Sequence, residues 1–393
     1  MAHIVRFKID GLLGRTDSIE FSLDRSVNIF FGENGCGKTT LLKILQSAMS
    51  LDGEAMIPLA VERAEVDIYS INEGKILTHI WDRKSKKGSL DITHQMMLAI
   101  EESNIPSFEK ARLIHMRSGS AEWKITGTKR SKAQLPSGWK HAYLPTTRLY
   151  SFDAGRRPIE SRANNEDRLN ESFADLVNKR WLTYYAQVLK EVKRVQEEGL
   201  RAALYHSLAI TTETISGPIL NPHQAYERVK KFLGRQSQSD AASLGPIKKF
   251  IARYEGDESL RKVVDNINNV EERIEHSMAP IQRFSETINN LFSRGKKLQT
   301  NEDGLSVRLE DGASISPALL SSGEKHLVAI LLQAMTIGEN SIIIDEPELS
   351  MHIDWQHTLA ETIIALNPSC QLIAASHSPE IMANIPDGNI FKI

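Results

Sequence analysis

Cysteine is nearly absent from this 393-residue chain: Cys36 and Cys370 are the whole complement. Two are too few for a disulfide framework, so a reducing compartment is expected. Long apolar runs are absent too; nothing approaches the roughly 18 residues a transmembrane helix needs. The stretch Met1–Ile9 is too short and too charged to read as a signal peptide, and the expected location is the cytoplasm, with no membrane partner. Nor is there an excess of one charge. The 48 Lys and Arg face 50 Asp and Glu, a net charge of −2. That excludes a dominant basic nucleic-acid surface and leaves a local patch open. Internal repeats and low-complexity tracts are missing as well. What remains, 41% hydrophobic and 25% charged residues, is the composition of an ordinary soluble protein with room for two or three structural units.

Patterning changes twice along the chain. Residues 4–9, 19–23, 66–69 and 75–81 alternate or read as strands, and Val27–Phe31 is an apolar run ending at a glycine. Asp82–Gly88 reads as a charged loop and Gln95–Glu102 as a helix. Near Arg156 helical periodicity takes over. Leu169, Phe173, Leu176, Trp181, Tyr184, Val188, Val192 and Val195 predict one long amphipathic helix. Ile267, Val270, Ile274, Met278, Ile281, Phe284, Ile288 and Leu291 predict a second, with heptad-like spacing. Ser216-Gly217-Pro218 and the stretch from Gly234 to Gly245 read as breaks between them. From Leu305 strands and helices alternate again: a strand edge at Val307 and Leu309, a helix over Leu327–Met335, buried strands at Ser341–Ile344 and Leu372–Ala375, and a last strand near Asn389–Ile393. The expected division is 1–156 and 299–393 as two parts of one α/β head, with 157–298 as a helical, coiled-coil-like insertion. That insertion either packs as a plain helical bundle or serves as a lever or docking arm.

The chemistry concentrates at the ends of the buried strands. Gly32-Glu33-Asn34-Gly35-Cys36-Gly37-Lys38-Thr39 has the spacing of a phosphate-binding P-loop, and it lies between a strand and a helix as such a loop must. Glycines allow the backbone to curl until its N–H groups face phosphate oxygens, and the helix start adds its positive end. Lys38 is placed to neutralise the β and γ phosphates of ATP, and Thr39 to hold Mg²⁺. Gly32, Asn34, Gly35, Gly37 and Thr40 complete the nucleotide-binding candidates, and Cys36 reads as a small tolerated side chain. Ile342-Ile343-Ile344 delivers Asp345 and Glu346 to a strand tip, Asp345 for the metal and Glu346 to polarise an attacking water. His377 follows a second buried strand, where it can donate to the γ phosphate. Leu320-Ser321-Ser322-Gly323-Glu324 opens an apolar helix; by itself it is a helix cap.

The order of these motifs resembles the ABC-ATPase superfamily. The resemblance implies that Ser321, with Ser322 and Gly323, acts in trans on the γ phosphate held by another copy's P-loop, so a homodimer or larger homo-oligomer is expected. Transporter signatures usually read Leu-Ser-Gly-Gly-Gln; Ser322 and Glu324 depart from that and look more like the repair, chromosome-organising and defence branch. A narrower similarity, over roughly 1–155 and 300–393, is to OLD-like (overcoming-lysogenisation-defect) ATPases. It rests on Asp345-Glu346-Pro347-Glu348, Met351-His352, Trp355-Gln356, Ser376-His377-Ser378-Pro379, and Leu144-Pro145-Thr146-Thr147-Arg148. Arg148 is then a phosphate-side or interface contact, and His352 lies near a dimer interface unless it is simply packed. The glutamine that links nucleotide to lobe in that superfamily has only weak candidates, Gln95 and Gln134.

Many such ATPases, including those of Septu and PARIS, serve in bacterial anti-phage systems with a Toprim nuclease attached or a nuclease on a separate chain. With about sixteen residues after His377, the expectation here is a separate effector protein. The leading expectation is therefore a slow regulatory ATPase of a defence system. A DNA-repair or DNA-organising ATPase is the alternative, for which the clusters Lys84–Lys87, Lys129–Lys132 and Arg294–Lys297 are candidate duplex contacts, each more simply a solvated loop. A transporter subunit is disfavoured by the insertion and the signature.

Overall fold

The apolar run Ser341–Asp345 is buried at every position and forms strand β11, at the heart of an all-parallel sheet. Such strands are covered on both faces, which is why their sequence is continuously apolar rather than alternating. The computed structural model describes residues 2–71, 73–83, 122–127, 141–145, 165–207, 220–236, 242–292 and 295–393. In it the parallel sheet has the order β13 (Ile390–Lys392), β3 (Val27–Phe31), β12 (Gln371–Ser376), β11, β7 (His141–Leu144). Phe31 pairs with Ser376, and Asp345 with Ala375, so the central strands end level with one another.

A second, antiparallel sheet has the order β2 (Ser18–Ser22), β1 (Ala2–Asp10), β4 (Arg63–Ser70), β5 (Lys75–Asp82), β6 (Lys124–Thr126). Burial alternates residue by residue along β4, the mark of a strand with one covered face. Helix α1 (Lys38–Ser50) joins the two sheets through one core. Leu41, Ile44, Leu45 and Met49 meet Phe7, Val66, Trp81 and Trp123 from one side and Phe30, Ile343 and Ile373 from the other. Each such side chain removed from water is worth about 1.5–3 kcal/mol. A polar bolt supplements this core. The buried Gln371 amide accepts from Ile4 N (2.9 Å) and Ser341 Oγ (2.8 Å) and donates to Ile4 O and Asp24 O, both at 2.8 Å. The topology is α/β: a parallel and an antiparallel sheet share one core, and a helical insertion interrupts the chain between β7 and the strands that complete the parallel sheet.

Two compact units result: Met1–Asp175 with Thr287–Lys297 and Val307–Ile393, and Leu176–Glu286 with Leu298–Ser306. The second holds most of α2 (Asn165–Ser207) and of α5 (Glu258–Leu291), which run antiparallel. Trp181 stacks near Phe284, while Val195 packs with Val270 and Ile274, and Glu198 pairs with Arg273 at 2.8 Å. Two further helices, α3 (Pro222–Gln236) and α4 (Ile247–Gly256), pack on α5 through Ala225, Val229, Phe250, Tyr254 and Val264. They correct the expected break at Gly234, which lies inside α3. Its neighbours Phe232 and Leu233 both pack against apolar clusters, which outweighs the roughly 1 kcal/mol cost of a helical glycine. The break at Ser216-Gly217-Pro218 and the helix at Gln95–Glu102 lie outside the described residues.

Gly199 on α2 offers a test of the α2–α5 contact. A Cβ there would lie 2.1 Å from Val270 Cγ2, on a β-branched side chain that cannot easily swing away. Gly199→Ala, normally a stabilising change in a helix, is expected to cost about 1–3 kcal/mol. Adding Val270→Ala should recover part of the loss. Thermal unfolding of wild type and the two variants checks it; a single variant as stable as wild type would refute the packing.

Candidate active site

The level ends of β3, β11 and β12 bring the candidate residues together on one edge of the sheet. Beyond β3 the chain turns through Gly35 (φ 81°) and Gly37 (φ 110°), left-handed conformations that glycine adopts without strain. Gly37 is also pressed against Leu13 and Leu12, whose side chains lie 3.1 and 3.3 Å from where its Cβ would be. Asn34 and Gly35 lie in the exposed part of the loop. Gly32 admits only hydrogen, because a Cβ would meet Cys36 Sγ and the Ile393 carbonyl. Lys38, buried at the first position of α1, donates to Gly32 O (2.9 Å) and Glu33 O (3.1 Å), and Arg15 holds Cys36 O at 3.2 Å. Thr40, the third residue of α1, is half-buried.

Thr39 Oγ1 donates to Asp345 Oδ2 at 2.8 Å, joining the P-loop helix to the tip of β11. A hydroxyl and a carboxylate side by side at the start of α1 fit a hard cation that would take most of its ligands from water and a bound anion, the habit of Mg²⁺. Among the described residues no cluster of three or more His, Cys, Asp or Glu could hold a metal by itself. Tyr143 on the neighbouring strand β7 has a buried hydroxyl, and burial followed by the Asp345 charge raises its pKa far above the phenol's ordinary value, so it stays neutral.

Glu346 leaves the strand with φ 50°, an uncommon conformation for a non-glycine residue, and its N–H donates to Ala375 O at 2.8 Å. Its carboxylate lies 3.9 Å from His377 Nε2, and both side chains are about one-third exposed, at 31% and 33%. The loop that carries His377 is held by groups to which sequence reading gave no role. Glu348 Oε1 accepts from His377 N (2.7 Å) and Ser378 N (3.2 Å). Gln356 Oε1 accepts from Ser378 Oγ at 2.8 Å. The only sequence signal for this pair was their place in the Pro-Glu and Trp-Gln runs. His352 caps α7 (Ile353–Leu366), its Nδ1 accepting from Asp354 N at 3.4 Å, and its side chain is 66% exposed.

Ser321 caps α6 (Ser322–Thr336) within a reciprocal capping box: Ser321 Oγ accepts from Glu324 N, and Glu324 Oε2 accepts from Ser321 N at 2.8 Å. Ser321 and Ser322 are exposed. Gly323 packs so tightly that a Cβ would lie 2.3 Å from Ser350 O, so only glycine fits there. His326 Nδ1 donates to Leu349 O at 2.7 Å, fastening the same turn to the loop after β11. Lys296 Nζ lies 2.8 and 3.1 Å from the two Glu324 oxygens. Burial alone would raise the pKa of Glu324, but the hydrogen bonds from Lys296 and Ser321 outweigh it and hold the carboxyl below its ordinary range. Lys296 thus serves a structural pair, while Gln95, Gln134, Arg148, Lys84–Lys87 and Lys129–Lys132 lie outside the described residues.

The family model of the AAA ATPase domain matches residues 4–382. The retron Vc95 probable ATPase of Vibrio cholerae serotype O1 biovar El Tor is 22% identical over 187 residues, which make up 42% of this chain and 36% of that protein. The chain thus matches little more than a third of that relative's length. The retron Ec83 probable ATPase of Escherichia coli is 19% identical over 394 residues, covering 95% of this chain and 68% of that one. Among solved structures, the Smc head domain with an extended coiled coil from Pyrococcus furiosus, bound to the C-terminal domain of ScpA, aligns with a TM-score of 0.43 and 13% identity over 99% of this chain and 95% of that one. The SMC head domain from Thermotoga maritima gives 0.39 and 12% over 97% and 91%.

The depressed pKa of Glu324 predicts a pH signature. A carboxyl lowered by folding contributes stability that is complete above its ordinary pKa of 4.5 and is lost as pH falls through the depressed folded value. Lys296→Met is therefore expected to cost about 1–2 kcal/mol near neutral pH, with the gap to wild type shrinking under acid. Thermal unfolding at about pH 7 and about pH 3.5 measures it; a gap that does not change with pH counts against the pair.

Proposed function

The chain belongs to the AAA ATPase domain family, and we propose that it is a regulatory and scaffolding ATPase of a bacterial anti-phage defence system that works with a separate effector, such as a Toprim-type or other nuclease. The observation that carries the ATPase part is the meeting of Thr39 and Asp345 at 2.8 Å, beside Lys38 and within one sheet edge of Glu346 and His377. The defence part is supported by the motif resemblance to OLD-like ATPases and by two relatives named as probable ATPases of retrons.

In this reading the substrate is ATP. Lys38 and the N–H groups of the Gly32–Thr40 loop bind its phosphates, and Thr39 and Asp345 hold Mg²⁺. Bound there, the metal offsets phosphate charge. Glu346 accepts a proton from water as that water adds to the γ phosphorus and the bond to the β-phosphate oxygen breaks, releasing ADP and phosphate. His377, beside Glu346, donates to the γ phosphate. The Ser321-Ser322-Gly323 turn, with both serines exposed and the glycine packed beneath them, serves the nucleotide of a second copy, so the working form is a homodimer or larger. His352 lies near that interface.

Two variants test this. Lys38→Ala is expected to abolish ATP binding. Glu346→Gln should retain binding and lower kcat about 100-fold or more. The mass of Glu346→Gln in solution, after co-expression with the products of neighbouring genes, should increase with MgATP and include a second protein. An ATP-bound assembly that retains no protein partner but is stabilised by duplex DNA would replace the defence reading with DNA repair. Turnover that survives Lys38→Ala would remove the ATPase assignment.

A further inference from the structure

Glu348 is an acid at the strand tip that the chemistry above leaves unused. One of its oxygens accepts two backbone N–H groups, His377 N at 2.7 Å and Ser378 N at 3.2 Å. The other, Oε2, is buried and has no hydrogen-bond partner among the described residues. A carboxylate held this way is expensive in desolvation unless the bonds it makes matter to the structure around it. What they hold is the two-residue turn that carries the His377 ring to within 3.9 Å of Glu346.

The rest of the turn is secured by the same neighbourhood. Ser376 Oγ accepts from Ser378 N at 2.9 Å, and Ser378 Oγ donates to Gln356 Oε1 at 2.8 Å. Gln356 Nε2 in turn donates to Met351 O (3.1 Å) and Glu348 O (3.4 Å), bracing the loop from which Glu348 projects. Two strained positions lie in that loop, Glu346 at φ 50° and Ser350 at φ 63°. Non-glycine residues keep such conformations only where surrounding bonds over-determine them. Gln356 thus braces the loop that bears Glu348, and the Glu348 carboxylate in turn holds the backbone that bears His377.

We infer that Glu348 is a positioning residue for ATP hydrolysis. With Gln356 behind it, its carboxylate sets the distance between the His377 ring and the Glu346 carboxylate, and it acts through His377 rather than on the nucleotide. The inference rests on the ATPase reading above. It predicts a particular division of kinetic effects. The P-loop is untouched, so binding stays and the chemical step slows.

The test is steady-state ATP turnover, with kcat and KM resolved, on the full chain and five variants: Glu348→Ala, Glu348→Gln, Gln356→Ala, His377→Ala and the Glu348→Ala/His377→Ala pair. A fluorescent ATP analogue bound by each variant reports an intact P-loop. Glu348→Ala is expected to lower kcat about tenfold or more while KM stays within about twofold. Glu348→Gln, which keeps an acceptor oxygen, should recover part of the loss, and Gln356→Ala should show a smaller loss in the same direction. In the His377→Ala background, Glu348→Ala should change kcat less than about twofold, because its target is already gone. Multiplicative losses in the pair, an unchanged kcat, or a loss confined to KM would each overturn the inference. If Glu348→Ala does not bind the analogue, the decision passes to Glu348→Gln and Gln356→Ala, where wild-type kcat overturns it. Wild-type turnover that Lys38→Ala does not remove brings down the ATPase reading itself; Lys38-dependent turnover with multiplicative losses brings down only the role of Glu348.

Discussion

Three parallel strands that end level, at Phe31, Asp345 and Ser376, are the constraint on which the candidate site depends. A parallel sheet makes every strand present its C-terminal end at the same edge, which gathers the loops that leave it on one side of the molecule. The P-loop lies 306 residues before the acid pair, counted from Thr39 to Asp345, yet the P-loop, the acids and the histidine each simply continue one of those strands. Thr39 and Asp345 then need no special device to meet at 2.8 Å. The opposite edge is held as firmly by Gln371, all of whose amide bonds reach a backbone group or Ser341. One edge is fixed so that the other can carry exposed chemistry.

Four non-glycine residues among those described have positive φ, Leu13, Leu51, Glu346 and Ser350, and two of them lie in the loop that leaves β11. Glu346 and Ser350 have positive φ without being glycine, and both lie in the loop tied by Ala375 O, Glu348 and Gln356. Glycine does the comparable work in the P-loop, where Gly35 and Gly37 bend freely and Gly32 leaves room for Cys36 and the chain end. A left-handed position that must also carry a carboxylate cannot be glycine, so Glu346 needs neighbours that hold it.

Much of this was legible in the residues. Val27–Phe31 was read to its exact ends because a buried parallel strand is a continuous apolar run bounded by polar punctuation. The two long helices were readable because each buries a stripe of regular spacing. Strand β7 escaped, since four residues with two buried side chains are too few to establish a period. Helices α3 and α4 escaped because short helices with high surface charge resemble loops until Phe250 and Tyr254 find Ala225 and Val229 across the turn. Glu348 and Gln356 stood in plain view, but their partners are backbone N–H and carbonyl groups, which every residue has and no sequence marks.

The signature turn shows why a departure from a motif can be structural before it is functional. Where transporter signatures place glutamine, Glu324 brings a negative charge that closes the capping box on Ser321 and pairs with Lys296. A glutamine could close the box but could not offer an ammonium two charged oxygens. The next residue, Lys325, donates to Asn170 Oδ1 at 2.6 Å. Lys296 follows the end of α5, and Asn170 lies in the first turns of α2. Consecutive residues of the signature helix are thus bonded to the chain as it enters the long helices and as it leaves them. Of the two bonds, only that of Glu324 to Lys296 involves the cap that orients Ser321; Lys325 makes the other one residue further on.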